Sequence, residues 1–180
     1  MHPLTTPDRE LLERARQYDS QVLAEIYDRY AESIYRYLYR LIGDAAQAED
    51  LTSDVFLKLL QVLDTPQAPR ERLQGWLYRV AHNLATDWFR SNSRNLATSL
   101  AEDLVADDNL PAAMLEKRQM QKQLRAALGR LTADQQRVIL LRFGEGFKLG
   151  EVARLLDKSE GAVKILQHRA VQRLRAFLDA

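Results

Sequence analysis

Apolar residues along this 180-residue chain recur at steps of three and four, the spacing of amphipathic helices. Three such runs occupy positions 23–41, 48–62 and 73–88. Gly43 follows the first run and predicts a helix end, while Thr6 and Pro7 have the signature of a helix start. Because no segment alternates convincingly with period two, the sequence predicts an all-α fold.

The periodicity stops in "SNSRNLATSLAEDLVADDNLP", which turns acidic and predicts a linker. Helical spacing returns beyond Pro111. Thr132 and Gln135 have capping-box spacing, and Gly144 and Gly146 predict the end of the helix that follows. We therefore predict two small helical domains, 1–93 and 113–180, joined by an acidic linker at 94–112.

Charge divides the chain in the same way, although its net charge is only +1. Residues 1–93 have a net charge of −3 and residues 94–112 also −3, whereas residues 113–180 hold 14 Lys and Arg against 7 Asp and Glu, a net charge of +7. A basic segment of this kind favours a polyanionic partner. The first and last parts are therefore expected to have different roles.

Composition argues against several functional classes. The chain has no cysteine, and His2, His82 and His168 are too scattered to suggest a metal site. It contains no phosphate-binding glycine loop or other enzyme motif, no apolar run of about 20 residues and no signal-peptide pattern at its start. We predict a cytoplasmic protein without cofactor, metal, catalytic activity or membrane insertion.

The segment "EVARLLDKSEGAVKILQHRA", residues 151–170, has helix-turn-helix spacing, with Ser159 as N-cap of the second helix. A buried stripe alone would equally fit a plain helical hairpin. Polar groups and the basic charge on the opposite face favour DNA binding instead. The candidate contacts are Lys164, Ile165, His168, Arg169, Gln172 and Arg173.

The run at 73–90 also has a polar face opposite its apolar stripe, with aromatic residues near the borders. Such a face is either solvated or able to meet phosphates and unpaired bases. The candidate contacts are Arg79, His82, Asn83 and Arg90. A third candidate surface, Glu49, Asp50 and Asp54 in "AEDLTSDVFLKLL", is either a solvated acidic face or a docking site for a basic partner.

Together, "AEDLTSDVFLKLL", "GWLYRVAHNLATDWFR" and the segment from "LTADQQRVILLRF" to "QHRA" resemble the extracytoplasmic-function (ECF) RNA polymerase sigma factors of the bacterial sigma-70 family. The resemblance implies a region 2 domain, a connecting strap and a region 4 helix-turn-helix domain. It also implies a transcription initiation factor whose partners are core RNA polymerase, promoter DNA and an anti-sigma factor.

By motif position, the resemblance assigns Glu49, Asp50 and Asp54 to the polymerase, the 73–90 face to the minus-ten element and the last helix to the minus-thirty-five element. It also implies that the loop at 63–72, which contains Pro66 and Pro69, forms a pocket for a flipped base. The sequence departs from the family pattern at Ser53, His82, Ile165 and Leu166. Two other interpretations stay open: a duplex-binding regulator that uses only the last domain, and an all-helical adaptor.

Overall fold

The structure, a computed structural model, describes residues 8–70, 72–102 and 112–178. Within those ranges it contains eight α-helices and no strand, which confirms the all-α prediction. The expected start at Thr6 and Pro7 lies outside the described residues. The helices are α1 Asp8–Ala15, α2 Ser20–Ile42, α3 Ala45–Val62, α4 Leu73–Glu102, α5 Ala112–Gly129, α6 Ala133–Ile139, α7 Leu149–Leu156 and α8 Glu160–Leu178.

Helix α2 is the central element of the first domain, which comprises α1 to α4. Asp19 caps its start by accepting from the Gln21 amide at 3.0 Å. Its end is the predicted glycine: Gly43 has φ 82° and donates its amide to the Tyr39 carbonyl at 2.8 Å. Helices α1, α3 and α4 pack on α2. The core that they share includes Leu11, Ile26, Ile34, Tyr37, Leu38, Val55, Leu59 and Leu77.

Helix α4 is longer than the sequence pattern predicted. We expected the acidic linker to begin at residue 94, but the helix continues to Glu102. Residues 94–102 of the predicted linker are therefore helical, and the assignment of 94–112 as the linker stays a prediction. The rest of that prediction, residues 103–111, lies outside the described part of the chain.

The last domain comprises α5 to α8. Thr132 and Gln135 form the predicted capping box at the start of α6. Helix α6 passes into a π-helical turn, Leu140–Gly144, which the sequence analysis did not predict; it is closed by a bond of 2.9 Å from the Glu145 amide to the Leu140 carbonyl. Gly146, at φ 76°, then redirects the chain towards α7.

The two domains lie against each other. Helix α4 packs on α7, and α2 contacts both α5 and the π-helical turn. Buried residues from both sides of the undescribed 103–111 belong to one continuous core, and the division into residues 1–93 and 113–180 stays a prediction.

Candidate functional site

The acidic face of α3 is exposed along its whole length. Asp44 caps the helix by accepting from the Gln47 amide at 3.0 Å, and the opposite side of the helix packs on α2. Glu49, Asp50 and Asp54 are all exposed, and none forms an ion pair with another described residue. Leu57, 52% exposed, lies one turn beyond Ser53 and Asp54. The face thus combines unpaired carboxylates with an apolar side chain, a combination suited to a basic or amphipathic partner.

The candidate nucleic-acid face of α4 is also directed to solvent. Arg79, Asn83 and Arg90 are exposed and share one side of the helix, with Thr86 between the last two. Arg90 lies 3.4 Å from Asp87 through an exposed contact, which solvent weakens. Two guanidinium groups and an amide in this arrangement can bind phosphates and base edges.

His82 does not belong to that face, contrary to the sequence prediction. It is 2% exposed, and its Nδ1 lies 2.9 Å from the Tyr37 hydroxyl of α2. Tyr78, His82 and Ala85, spaced by four and three residues, form a second buried stripe because α4 packs on more than one side. Burial, and next the positive charge of Arg137, lower the pKa of His82 to about 4. A neutral, buried imidazole cannot act as a base-reading group in this arrangement.

The helix-turn-helix has the predicted geometry. Helix α7 ends at Leu156, and Asp157 turns the chain with φ 54° in the left-handed region. Ser159 then caps α8, as its hydroxyl accepts from the Ala162 amide at 3.1 Å. Val163 and Ala170 anchor α8 in the core of the domain.

The opposite face of α8 is open to solvent. All six candidate residues are exposed: Lys164, Ile165, His168, Arg169, Gln172 and Arg173. Ile165 is 54% exposed, which leaves an apolar group among polar neighbours. Cations, an amide and an imidazole on one exposed helix can meet phosphates and base edges, and an isoleucine can contact a thymine methyl.

Two glutamines connect α8 to the rest of the domain, and the sequence analysis assigned neither a role there. Arg173 donates to Oε1 of the buried Gln135 at 3.2 Å, so the capping box of α6 also holds an arginine of α8. Arg142 donates from Nε to Gln167 Oε1 at 3.1 Å and from Nη1 to the Phe147 carbonyl at 2.5 Å. These bonds fix the orientation of α8 relative to α6 and the π-helical turn. The Arg173–Gln135 and Arg142–Gln167 bonds span 38 and 25 residues, so no local sequence pattern indicated them.

In the predicted loop at 63–72, the described residues 63–70 are held in place rather than loose. Asp64 accepts from the Tyr18 hydroxyl at 2.8 Å, and Ala68 and Pro69 are buried. Such a restrained loop is compatible with a preformed pocket, but the role in binding a flipped base stays a prediction.

Other kinds of site were searched for in the described ranges. There, no three His, Cys, Asp or Glu residues come together as a metal site would require. None of the helices in the same ranges is both long enough and apolar enough to cross a membrane.

Comparison with known proteins identifies both domains. Residues 26–95 match Sigma-70 region 2, and residues 127–176 match Sigma-70, region 4. The ECF RNA polymerase sigma factor BldN of Streptomyces coelicolor is 36% identical over 171 residues, which cover 94% of this chain and 65% of BldN. SigX of Bacillus subtilis, another ECF sigma factor, is 31% identical over 160 residues, which cover 86% of this chain and 82% of SigX.

The fold has a counterpart among solved structures. The structure of CnrH in complex with the cytosolic domain of CnrY matches with a TM-score of 0.65 over 96% of this chain and 97% of that one, at 24% identity. This likeness concerns the fold alone. The matches to both sigma regions and to SigX show that the chain belongs to the ECF group of RNA polymerase sigma factors in the sigma-70 family, initiation factors that direct RNA polymerase to promoters.

Proposed function

We propose that this chain binds core RNA polymerase through the acidic face of α3 and brings it to promoters through α4 and α8. The observation that carries the proposal is that each matched region folds with its candidate contact face exposed and its apolar stripe buried. Polymerisation belongs to the partner enzyme. The chain contributes promoter choice and strand opening, and it acts in the cytoplasm.

Each face has a separate task in this proposal. Glu49, Asp50 and Asp54 bind a basic surface of the polymerase. Arg79, Asn83 and Arg90 contact the opened minus-ten element, with the two arginines on phosphates. His82 is left out of this set because it is buried. Its hydrogen bond to Tyr37 supports the helix that carries Asn83.

On α8, the residues divide by chemistry. Lys164, Ile165, His168 and Gln172 read the minus-thirty-five element in the major groove, and Arg169 and Arg173 bind phosphates. The N-terminal half of a recognition helix usually meets base edges, which suits the first three. Arg173 has a second role inside the domain because it also bonds Gln135.

An anti-sigma factor is the remaining proposed partner. CnrH, whose fold this chain shares, was solved with a bound protein segment, the cytosolic domain of CnrY. A protein of this kind would inhibit the chain by covering the surfaces that bind polymerase or DNA.

The test combines complex formation with initiation. Gel filtration with core RNA polymerase, followed by run-off transcription on a cognate promoter, should give a stable complex and promoter-dependent product. A duplex-binding regulator would bind DNA without joining the polymerase, and an adaptor would do neither. Either result would reject the proposal.

Charge reversal locates the docking face. Asp50→Lys with Asp54→Lys should weaken competition for core polymerase, since like charges across an interface cost several kcal/mol. The control reverses two exposed carboxylates on other helices, Glu10 on α1 and Glu116 on α5, with the same change in net charge. Equal competition by the two double variants would rule out α3 as the docking face.

A further inference from the structure

Helix α8 is anchored in its domain by small buried side chains. Val163 and Ala170 are both 0% exposed, whereas Leu166 and Leu174 are only partly buried. Side chains as small as valine and alanine make few contacts, so the apolar stripe alone restrains rotation of the helix about its axis only weakly. A rotation of about 10° moves a side-chain end, roughly 6 Å from the axis, by about 1 Å. Such a shift takes a base-reading hydrogen bond out of its range of about 2.7 to 3.2 Å.

Two hydrogen bonds flank the apolar stripe of α8, one on each side. Gln167 accepts from Arg142 at 3.1 Å, and Arg173 donates to Gln135 at 3.2 Å. At about 100° per residue, Gln167 and Arg173 lie about 60° to either side of the centre of the stripe, which consists of Val163, Leu166, Ala170, Leu174 and Phe177. They are six residues apart in the sequence, or about 9 Å along the axis. Bonds on opposite borders of the stripe oppose rotation in both directions, and their separation opposes tilting.

Arg142 links the middle of α8 to the π-helical turn in which it lies. It is half-buried, and it donates from Nε to Gln167 and from Nη1 to the Phe147 carbonyl just beyond the turn. Its guanidinium carbon lies 5.8 Å from the centroid of the Phe143 ring. Because an arginine presents its donors in one rigid plane, the turn fixes where the Gln167 side chain must lie. Local π-helical turns occur frequently at functional sites.

Gln167 lies beside the residues proposed to read bases. Lys164 precedes it by one turn, Ile165 by two residues, and His168 follows it directly. These three are exposed, whereas Gln167 is half-buried and its Oε1 accepts from Arg142. The amide oxygen therefore faces the domain, while its neighbours face solvent. Such a residue acts on DNA recognition through the helix that carries it.

We propose that Arg142 and Gln167 are positioning residues for the recognition of the minus-thirty-five element. Their hydrogen bond sets the rotation of α8 in the major groove, and this rotation decides which base edges Lys164, Ile165 and His168 reach. Neither Arg142 nor Gln167 contacts DNA itself. The inference rests on the proposed function of α8, and it adds that base preference depends on a bond inside the domain.

Promoter selection with the full-length chain bound to core RNA polymerase measures the base preference. The promoter library is randomised at each minus-thirty-five position, and the readout is the ratio of selection between the best and the worst base there. Gln167→Met removes the acceptor but keeps an unbranched side chain of similar helix propensity. Arg142→Lys keeps the charge but loses the planar donors. Each variant should lower the ratio about fivefold or more at positions read by α8, because one base contact is worth about 5- to 150-fold.

Further variants separate positioning from a general loss of structure. Because the two residues act through one bond, the double variant should lower the ratio little more than either single variant. Gln167→Glu, whose carboxylate still accepts from Arg142, should keep the wild-type base preference. Gln123→Met, the same substitution at an exposed position of α5, is the matched control. Affinity for an unrelated duplex should stay within about twofold of wild type in Arg142→Lys and Gln167→Met, because the phosphate-binding arginines remain.

Selection ratios for Gln167→Met that equal those for Gln123→Met would overturn the proposal. So would a changed preference in Gln167→Met alone, with Arg142→Lys like wild type, because Gln167 would then contact DNA directly. If circular dichroism shows that Gln167→Met does not fold, the comparison of Arg142→Lys with wild type decides. A wild-type complex without any minus-thirty-five preference would instead reject the proposed function of α8.

Discussion

Acid should destabilise the first domain through His82. The imidazole is buried against Tyr37, and burial together with the charge of Arg137 lowers its pKa from 6.5 to about 4, although Asp134 opposes the shift. In the unfolded chain the same group binds a proton near pH 6.5. Between these two values the unfolded state binds more protons, so the free energy of unfolding falls as the pH falls.

The size of the effect follows from the difference between the pKa values of His82 in the folded and the unfolded chain. Each pH unit between the two pKa values is worth about 1.4 kcal/mol, so lowering the pH from 8 to 5 should remove about 2 kcal/mol of stability, and the loss should level off near roughly 3 kcal/mol below pH 4. For a chain of this length, 2 kcal/mol corresponds to a fall in Tm of about 4 to 8 °C.

Both tryptophans of the chain, Trp76 and Trp88, lie on the same helix as His82, so their fluorescence reports the unfolding of this domain. Urea titrations from pH 8 to pH 5 should be compared between the wild type and His82→Gln. The substitution removes the titration but keeps a group able to bond Tyr37. The carboxylates contribute equally to the pH dependence of stability in the two proteins, so the difference between the proteins isolates the effect of His82. Parallel curves of stability against pH for the two would refute the reasoning.

Three further changes concern the last domain. Thr132→Ala should cost about 1 kcal/mol because it removes the α6 cap, and Thr132→Ser should restore it; equal urea midpoints for all three proteins would contradict this. Lys164→Ala or Ile165→Ala should change the preferred minus-thirty-five sequence in a selection experiment, by about 1 to 3 kcal/mol per lost base contact, and an unchanged preference would reject base reading. Arg169→Ala should weaken binding to all sequences alike and reduce the salt slope by about 1, so a sequence-dependent loss would argue against a phosphate contact.

Local signals in the sequence predicted most of the helices and their ends. Gly43, the Thr132 and Gln135 pair and the Ser159 cap each act through bonds that span a few residues, so their chemistry is readable without the tertiary fold. The continuation of α4 to Glu102 was not readable in this way. Its last turns have no continuous apolar stripe, and hydrophobic periodicity can detect only a helix that buries one face.

The error at His82 has a different cause. A helical projection sorts residues by angle and assumes that one side is buried. Helix α4 contacts α2, α3 and α7, so a polar residue beside the expected face became enclosed. Asn83, the next residue along the helix, stayed exposed. The sequence therefore located the polar face correctly but not the width of that face, which depends on how many neighbours the helix has.

The contact between domains was missed because it is polar and distant in sequence. Arg36 and Arg40 of α2 donate to the Glu145 carboxylate from 109 and 105 residues away, and arginines on the polar side of a helix usually indicate solvent. In the structure they have both surroundings, since their side chains remain 45% and 37% exposed while they pair with a carboxylate side chain that is 3% exposed. Hydrophobic periodicity detects a contact only where apolar side chains are withdrawn from water, so a contact made by charged side chains leaves no such pattern in the sequence.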